Sequence, residues 1–158
     1  MNTQSETGCC QRFNSELWDK KEIIWKDKLF IKDKVNSVFH IPINFSKVII
    51  KNMGKIEKAG AKNPDNIMLS DEMSMWNSGL YIAVDKSLPD SQMEKISGTF
   101  LSKAFEGPYH HAGKWAKEMK TFVESNGKRI NKLFFWYTTC PKCAKVYGKN
   151  YTVLFAQV

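Results

Sequence analysis

The stretch TFLSKAFEGPYHHAGKWAKEMKTFVESNG, residues 99–127, decides the fold. It begins as the end of an extended segment, EKISGTFLSKAF, whose aromatic and β-branched content predicts a strand. Pro108 suits a first helical turn, and Ala112, Trp115, Ala116, Met119, Phe122 and Val123 then recur at spacings of three and four. That pattern is an amphipathic helix, and Asn126-Gly127 is the left-handed signal that stops it. Two further extended segments follow, KLFFWY and NYTVLFA.

The same order stands earlier in the chain. EIIWKDKLFIK precedes an apolar stripe that starts at Phe45 and continues through Val48, Ile49, Met53 and Ile56. Asn44 is its candidate N-cap, and Gly60 followed by Pro64 is its stop. NIMLS and LYIAV come next. The expected fold is therefore α+β: two strand-helix-strand-strand repeats forming an antiparallel sheet with two helices on one face. An N-terminal arm takes residues 1–20, and a single domain takes 21–158, with repeats at about 21–86 and about 92–158. Few residues match between the halves, so the repeat is architectural. A cleft between the repeats is the expected ligand site.

Composition narrows the function classes. With 42% hydrophobic and 13% aromatic residues, 158 residues can build a core without disulfides or a metal. No apolar run approaches the ~20 residues that span a bilayer, and the start, MNTQSETGCC, lacks a signal-peptide core. A cytoplasmic protein without membrane partners is expected, its four cysteines read as thiols. The net charge of +8 invites a nucleic-acid reading, yet the lysines are dispersed and Arg12 and Arg129 are the only arginines. Lysines solvating a surface fit that dispersal better. No phosphate loop, dinucleotide fingerprint, serine elbow or H-E-x-x-H motif occurs.

Residues 99–127 resemble the second repeat of the GyrI-like family, the AraC-type effector-binding domain. There a strand runs into a Gly-Pro-Tyr turn that opens a helix carrying Trp and small residues, closed by Asn-Gly. The chain also resembles a group of short prokaryotic proteins known as bacterial hydrolases, through the CC near the start, FHIP, SGTF, FEGPY, and CPKCAK ending in YGKNY. The cysteine segment departs from ordinary GyrI-like members, which carry a proline-containing hairpin without cysteines. The resemblance implies an SHS2-type fold and an aromatic-lined small-molecule pocket, often with a buried acid for cationic or polarised ligands. It also implies that strained electrophiles can be hydrolysed there by a Glu and a Tyr.

Candidate side chains follow. Glu106, ahead of Gly107-Pro108-Tyr109, and Glu72, in SDEMSMW, are the acids. Tyr109 and Tyr137 are the donors, and Trp25, Trp76, Tyr81, Trp115 and Trp136 are the ligand walls, with Tyr151 also beside a strand. The competing role for Glu106 is a carboxylate at a helix start, worth ~0.3–1 kcal/mol, and for most of the aromatics it is core filling. Cys140-Pro-Lys-Cys143 has the spacing of a zinc knuckle. Cys9 and Cys10 are the natural completion, although adjacent side chains diverge; one of them with His40, His110, His111 or water is the other option. A redox pair would want a helix that the strand-like tail does not provide. His110 and His111 fall in the expected first helical turn, ~100° apart. No cofactor is required, and zinc is the metal the cysteines suggest. The expected function is binding of a hydrophobic or electrophilic small molecule, extended to its hydrolysis. The alternatives are a non-catalytic ligand sensor or sequestering protein, and an interaction protein with a structural zinc site. The sequence does not fix the oligomeric state.

Overall fold

Eighteen residues, Lys21–Val38, form the first strand, β1. The computed structural model describes residues 14–38, 41–42, 45–63, 67–72, 77–108, 111–138 and 151–158. After β1 come β2 (Ile41–Pro42), α1 (Phe45–Lys58), β3 (Met68–Glu72), β4 (Asn77–Ala83), β5 (Met93–Glu106), α2 (Ala112–Ser125), β6 (Lys132–Tyr137) and β7 (Tyr151–Gln157). The fold is α+β with antiparallel strands. The chain divides into two compact units, one of them Trp25–Ser97, the other Gly98–Val158 together with the chain up to Ile24. β1 and β5 each contribute to both units.

In the Trp25–Ser97 unit β4 lies between β1 and β3, antiparallel to both. The short β2, not foreseen because two residues carry no periodicity, folds back on the end of β1. The apolar stripe of α1 lands as its spacing demands. Val48 and Ile56 are buried against Ile31, Val35, Leu80 and Ile82, with Ile49 and Met53 packed at the margin. Gly60, at φ +67°, supplies the left-handed residue just past the helix end. Asn44 and Pro64, its expected cap and stop, lie outside the described residues.

One polar residue sits on that inner face. Asn52 is 1% exposed. Its Nδ2 donates to Asp33 Oδ2 and to the Val48 carbonyl, both at 2.8 Å. Asp33 Oδ2 also meets Lys51 Nζ at 2.9 Å, and Oδ1 accepts the Lys34 amide at 2.7 Å. Burial raises the Asp33 pKa, but the bonds from Asn52, Lys51 and the Lys34 amide, with the Lys51 charge, outweigh it and hold the carboxyl below its ordinary value of 3.8. A depressed folded pKa stabilises above the unfolded value and is lost as pH falls through the folded one. Asn52→Ala is therefore expected to cost about 1–3 kcal/mol at neutral pH by urea unfolding, because the Asp33 charge loses a buried donor. The stability difference between wild type and Asp33→Asn should shrink as pH drops below about 4; a difference unchanged down to pH 2 would contradict the assignment.

β1 is not a uniform strand. Asp27 adopts φ +49°, in the left-handed region that Asp tolerates, and its amide donates to Ser97 Oγ at 2.7 Å. Alternation is reset there, so Trp25 and Phe30, five residues apart, bring their rings within 5.7 Å.

In the Gly98–Val158 unit β7 lies between β5 and β6, antiparallel to both. α2 buries Trp115, Met119 and Val123 against Leu101, Phe105, Phe135, Leu154 and Ala156. It starts later than Pro108. His111 is the N-cap, and its amide donates to the Pro108 carbonyl at 3.0 Å. Gly107 has φ +143°, and a Cβ there would stand 3.3 Å from His111 Nδ1 and 3.4 Å from Trp115 Cζ2, so this entry needs glycine. The stop is as read: Gly127 has φ +72°, and Lys128 N donates to Val123 O at 3.2 Å.

The dispersed lysines have a local use. Lys28 stands over Trp25, Lys32 over Tyr81, Lys103 over Phe105 and Lys132 over Phe134, at 5.1–5.8 Å from the ring centres. Each covers apolar surface while its ammonium keeps access to water. No described helix is long and apolar enough to cross a membrane.

Candidate ligand-binding face

The register of β5, β7 and β6 sorts their side chains onto two faces. Leu101, Phe105, Leu154, Ala156 and Phe135 go to α2. Ser102 and Ala104, Val153 and Phe155, and Phe134 and Trp136 go to the other face. That second face is aromatic at its centre. The Trp136 and Phe155 rings stack 6.1 Å apart at 26°, and Trp18 meets both edge-on, at 5.1 and 5.7 Å. Trp136 is 4% exposed and Phe155 0%.

Trp18 arrives on a short strap. Asn14 Oδ1 accepts the Glu16 amide at 3.2 Å and opens a single 3-10 turn, Ser15–Leu17. Two bonds then fix the strap to β5: Ser102 Oγ donates to the Trp18 carbonyl at 2.6 Å, and the Ala104 amide donates to Asp19 Oδ1 at 3.2 Å. Lys20, left-handed at φ +53°, turns the chain into β1.

At one end of this face lies the acid. Glu106, the exposed last residue of β5, is directly opposite Tyr151, the first residue of β7. Alternation puts this pair one step beyond Ala104, Val153 and Trp136, on the same face. Tyr137 takes the register position opposite Thr152 at the same end. The register thus sets Glu106 on the face that carries Trp136 and adds Tyr151, which the sequence reading had not given a chemical role, while Tyr137, next to Trp136 in β6, takes the alternate register position, level with Phe105. Counting by twos along β7, from Phe155 through Val153, would have found it. Glu106 stands five residues before the N-cap His111, outside the first turn of α2, so the helix-dipole role falls away.

Other expected residues are placed elsewhere. Trp115 is on the opposite side of the strands, 3% exposed and stacked on Phe105 at 5.7 Å and 23° within the α2 core. The His111 ring stands edge-on to it at 6.2 Å. Trp25, Phe30 and Tyr81 form an aromatic row in the Trp25–Ser97 unit, where the Tyr81 ring meets Phe30 at 6.4 Å. Glu72 takes the position opposite Ser78, while Asp71, opposite Gly79, is the acid whose Cβ flanks the bare Gly79 position that Tyr81 also covers. Tyr109, Trp76, His40, His110, Cys9, Cys10, Cys140 and Cys143 lie outside the described residues. Among the described residues no group of three His, Cys, Asp or Glu is placed to hold a metal. A depression of about 490 Å³ lined by Lys120, Glu124, Arg129 and Ile130 sits at the C-terminal end of α2. The negative end of the helix works against anions there, and the Lys120–Glu124 pair at 4.0 Å already offsets charge.

The family model described as "Bacterial hydrolase" matches residues 1–158. No curated protein matches the chain. Among solved structures, the EcmrR C-terminal domain is similar at 13% identity and a TM-score of 0.66, over 89% of this chain and 97% of that one. EcmrR in its DNA complex is similar with the same score, but this chain spans only 57% of its length. A hydrolase from Listeria innocua is similar at 15% identity and a TM-score of 0.56, over 88% of this chain and 91% of that one. These likenesses establish a shared fold.

Proposed function

Because this chain belongs to the bacterial hydrolase family, we propose that it binds a small hydrophobic or electrophilic molecule on the Trp136 face and hydrolyses it with Glu106 and a tyrosine. The observation that carries this is the cross-strand pairing of Glu106 with Tyr151 beside the stacked Trp136 and Phe155 rings. Stacking fixes a flat substrate over an apolar floor, so that its reacting group meets the acid at the rim. Glu106 takes a proton from the attacking water, and the hydroxyl of Tyr151 donates to the oxygen that leaves or opens. The two units read as two copies of a GyrI-like, SHS2-type strand-helix-strand-strand module.

The test is turnover of a panel of aryl esters and aryl epoxides. Glu106→Gln is expected to lower turnover by about 100-fold or more while leaving product affinity nearly unchanged. Equal turnover in the variant contradicts the role of Glu106. Binding without turnover in the wild type favours a ligand sensor, the reading that the likeness to the EcmrR C-terminal domain supports.

A further inference from the structure

We infer that the Trp18 strap is a built-in competitor for the small-molecule site, and that it reports the ligand's chemistry: a planar bicyclic aromatic bearing a hydrogen-bond acceptor. The inference rests on the reading of the Trp136 face as that site. The indole of Trp18 is a planar bicycle lying edge-on to Trp136 and Phe155, which are 4% and 0% exposed. A ligand that stacks on them must take the place of the indole. One polar group accompanies the rings. Ser102, 0% exposed and directly opposite Phe155 on the same face, gives its hydroxyl proton to the Trp18 carbonyl at 2.6 Å. When the strap leaves, that hydroxyl loses its acceptor in an apolar surround, and a ligand that supplies one restores the bond.

The strap is built to be displaceable. Trp18 itself is only half-buried, and Leu17 beside it is 65% exposed. Its hold on β5 is the Ser102 bond and the Ala104–Asp19 bond, and left-handed Lys20 marks the turn about which it would open. A plug that closes the site in most molecules weakens apparent affinity by the fraction left open, so loosening it strengthens binding.

The experiment is titration of the full chain with 4-methylumbelliferone, a fluorescent planar bicycle with a carbonyl acceptor, read by fluorescence anisotropy. Trp18→Ala is expected to bind at least tenfold tighter than wild type. Asp19→Ala, which loosens the strap and leaves the indole and the slot intact, is expected to shift affinity the same way by a smaller factor. This second variant keeps the test decisive if Trp18→Ala folds poorly. Unchanged or weaker binding in a folded Trp18→Ala or Asp19→Ala variant overturns the inference and makes Trp18 a wall of the site. Absence of binding in wild type and both variants overturns the location of the site itself, and the inference with it.

Discussion

Trp115→Ala is expected to lower the unfolding free energy by about 3–5 kcal/mol, as a large-to-small change in a closed core does. Trp115 is 3% exposed, stacks on Phe105, and anchors the first turn of α2 to β5. Little can relax into the space, because Phe105 stacks on the ring and the His111 ring stands edge-on to it. Urea unfolding measures the loss. A cost under about 1 kcal/mol would mean that α2 is held mainly by Met119 and Val123. The same variant, where folded, should bind an aromatic probe as the wild type does, since Trp115 belongs to α2 and packs on the side of the strands away from the strap.

Trp136→Ala carries a similar stability cost of about 3–5 kcal/mol but a different functional one. It removes one member of the Trp136–Phe155 stack and the nearest ring to Trp18, at 5.1 Å. Probe affinity is expected to fall by at least tenfold in the folded fraction, the loss of about 1.4 kcal/mol or more of stacking and burial. Equal probe loss in both tryptophan variants would mean that affinity follows global stability and not the face.

The contrast between these two tryptophans shows what the sequence makes legible. Both helices, their inner faces and their glycine stops were readable, because periods of three and four survive any tertiary arrangement. Most strands were readable from their aromatic and β-branched content, to within a few residues at their ends, except that β1 runs six residues further and β2 was missed. Which face of a strand each residue takes was less so. Trp115 looked like a ligand wall because its chemistry is that of Trp136, although the helical stripe already held it on the inner face of α2; the register of β5, β7 and β6 adds that α2 covers the face opposite Trp136. Tyr151 was overlooked as a partner of Glu106 because 45 positions of chain separate residues that the β5–β7 ladder sets side by side. The helix start was misplaced at Pro108: proline suits a first turn, but Gly107 ahead of it holds a positive φ, and α2 begins at Ala112 with His111 as its N-cap. Asn52 gave no warning, since a polar residue within an apolar stripe reads as an interruption until Asp33 is seen beneath it. Trp18 lay in a polar segment whose only structural signal was one aromatic residue.

The proposed function places a small molecule on the Trp136 face. The direct measurement is the set of tryptophan indole N–H signals in an ¹⁵N correlation spectrum during titration with 4-methylumbelliferone. The chain has five tryptophans, so the signals separate readily and can be assigned by single substitutions. Trp136 and Trp18 are expected to move with the same saturation curve while Trp115 stays in place. Movement of Trp115 or Trp25 with Trp136 unchanged would contradict the account and put the ligand elsewhere.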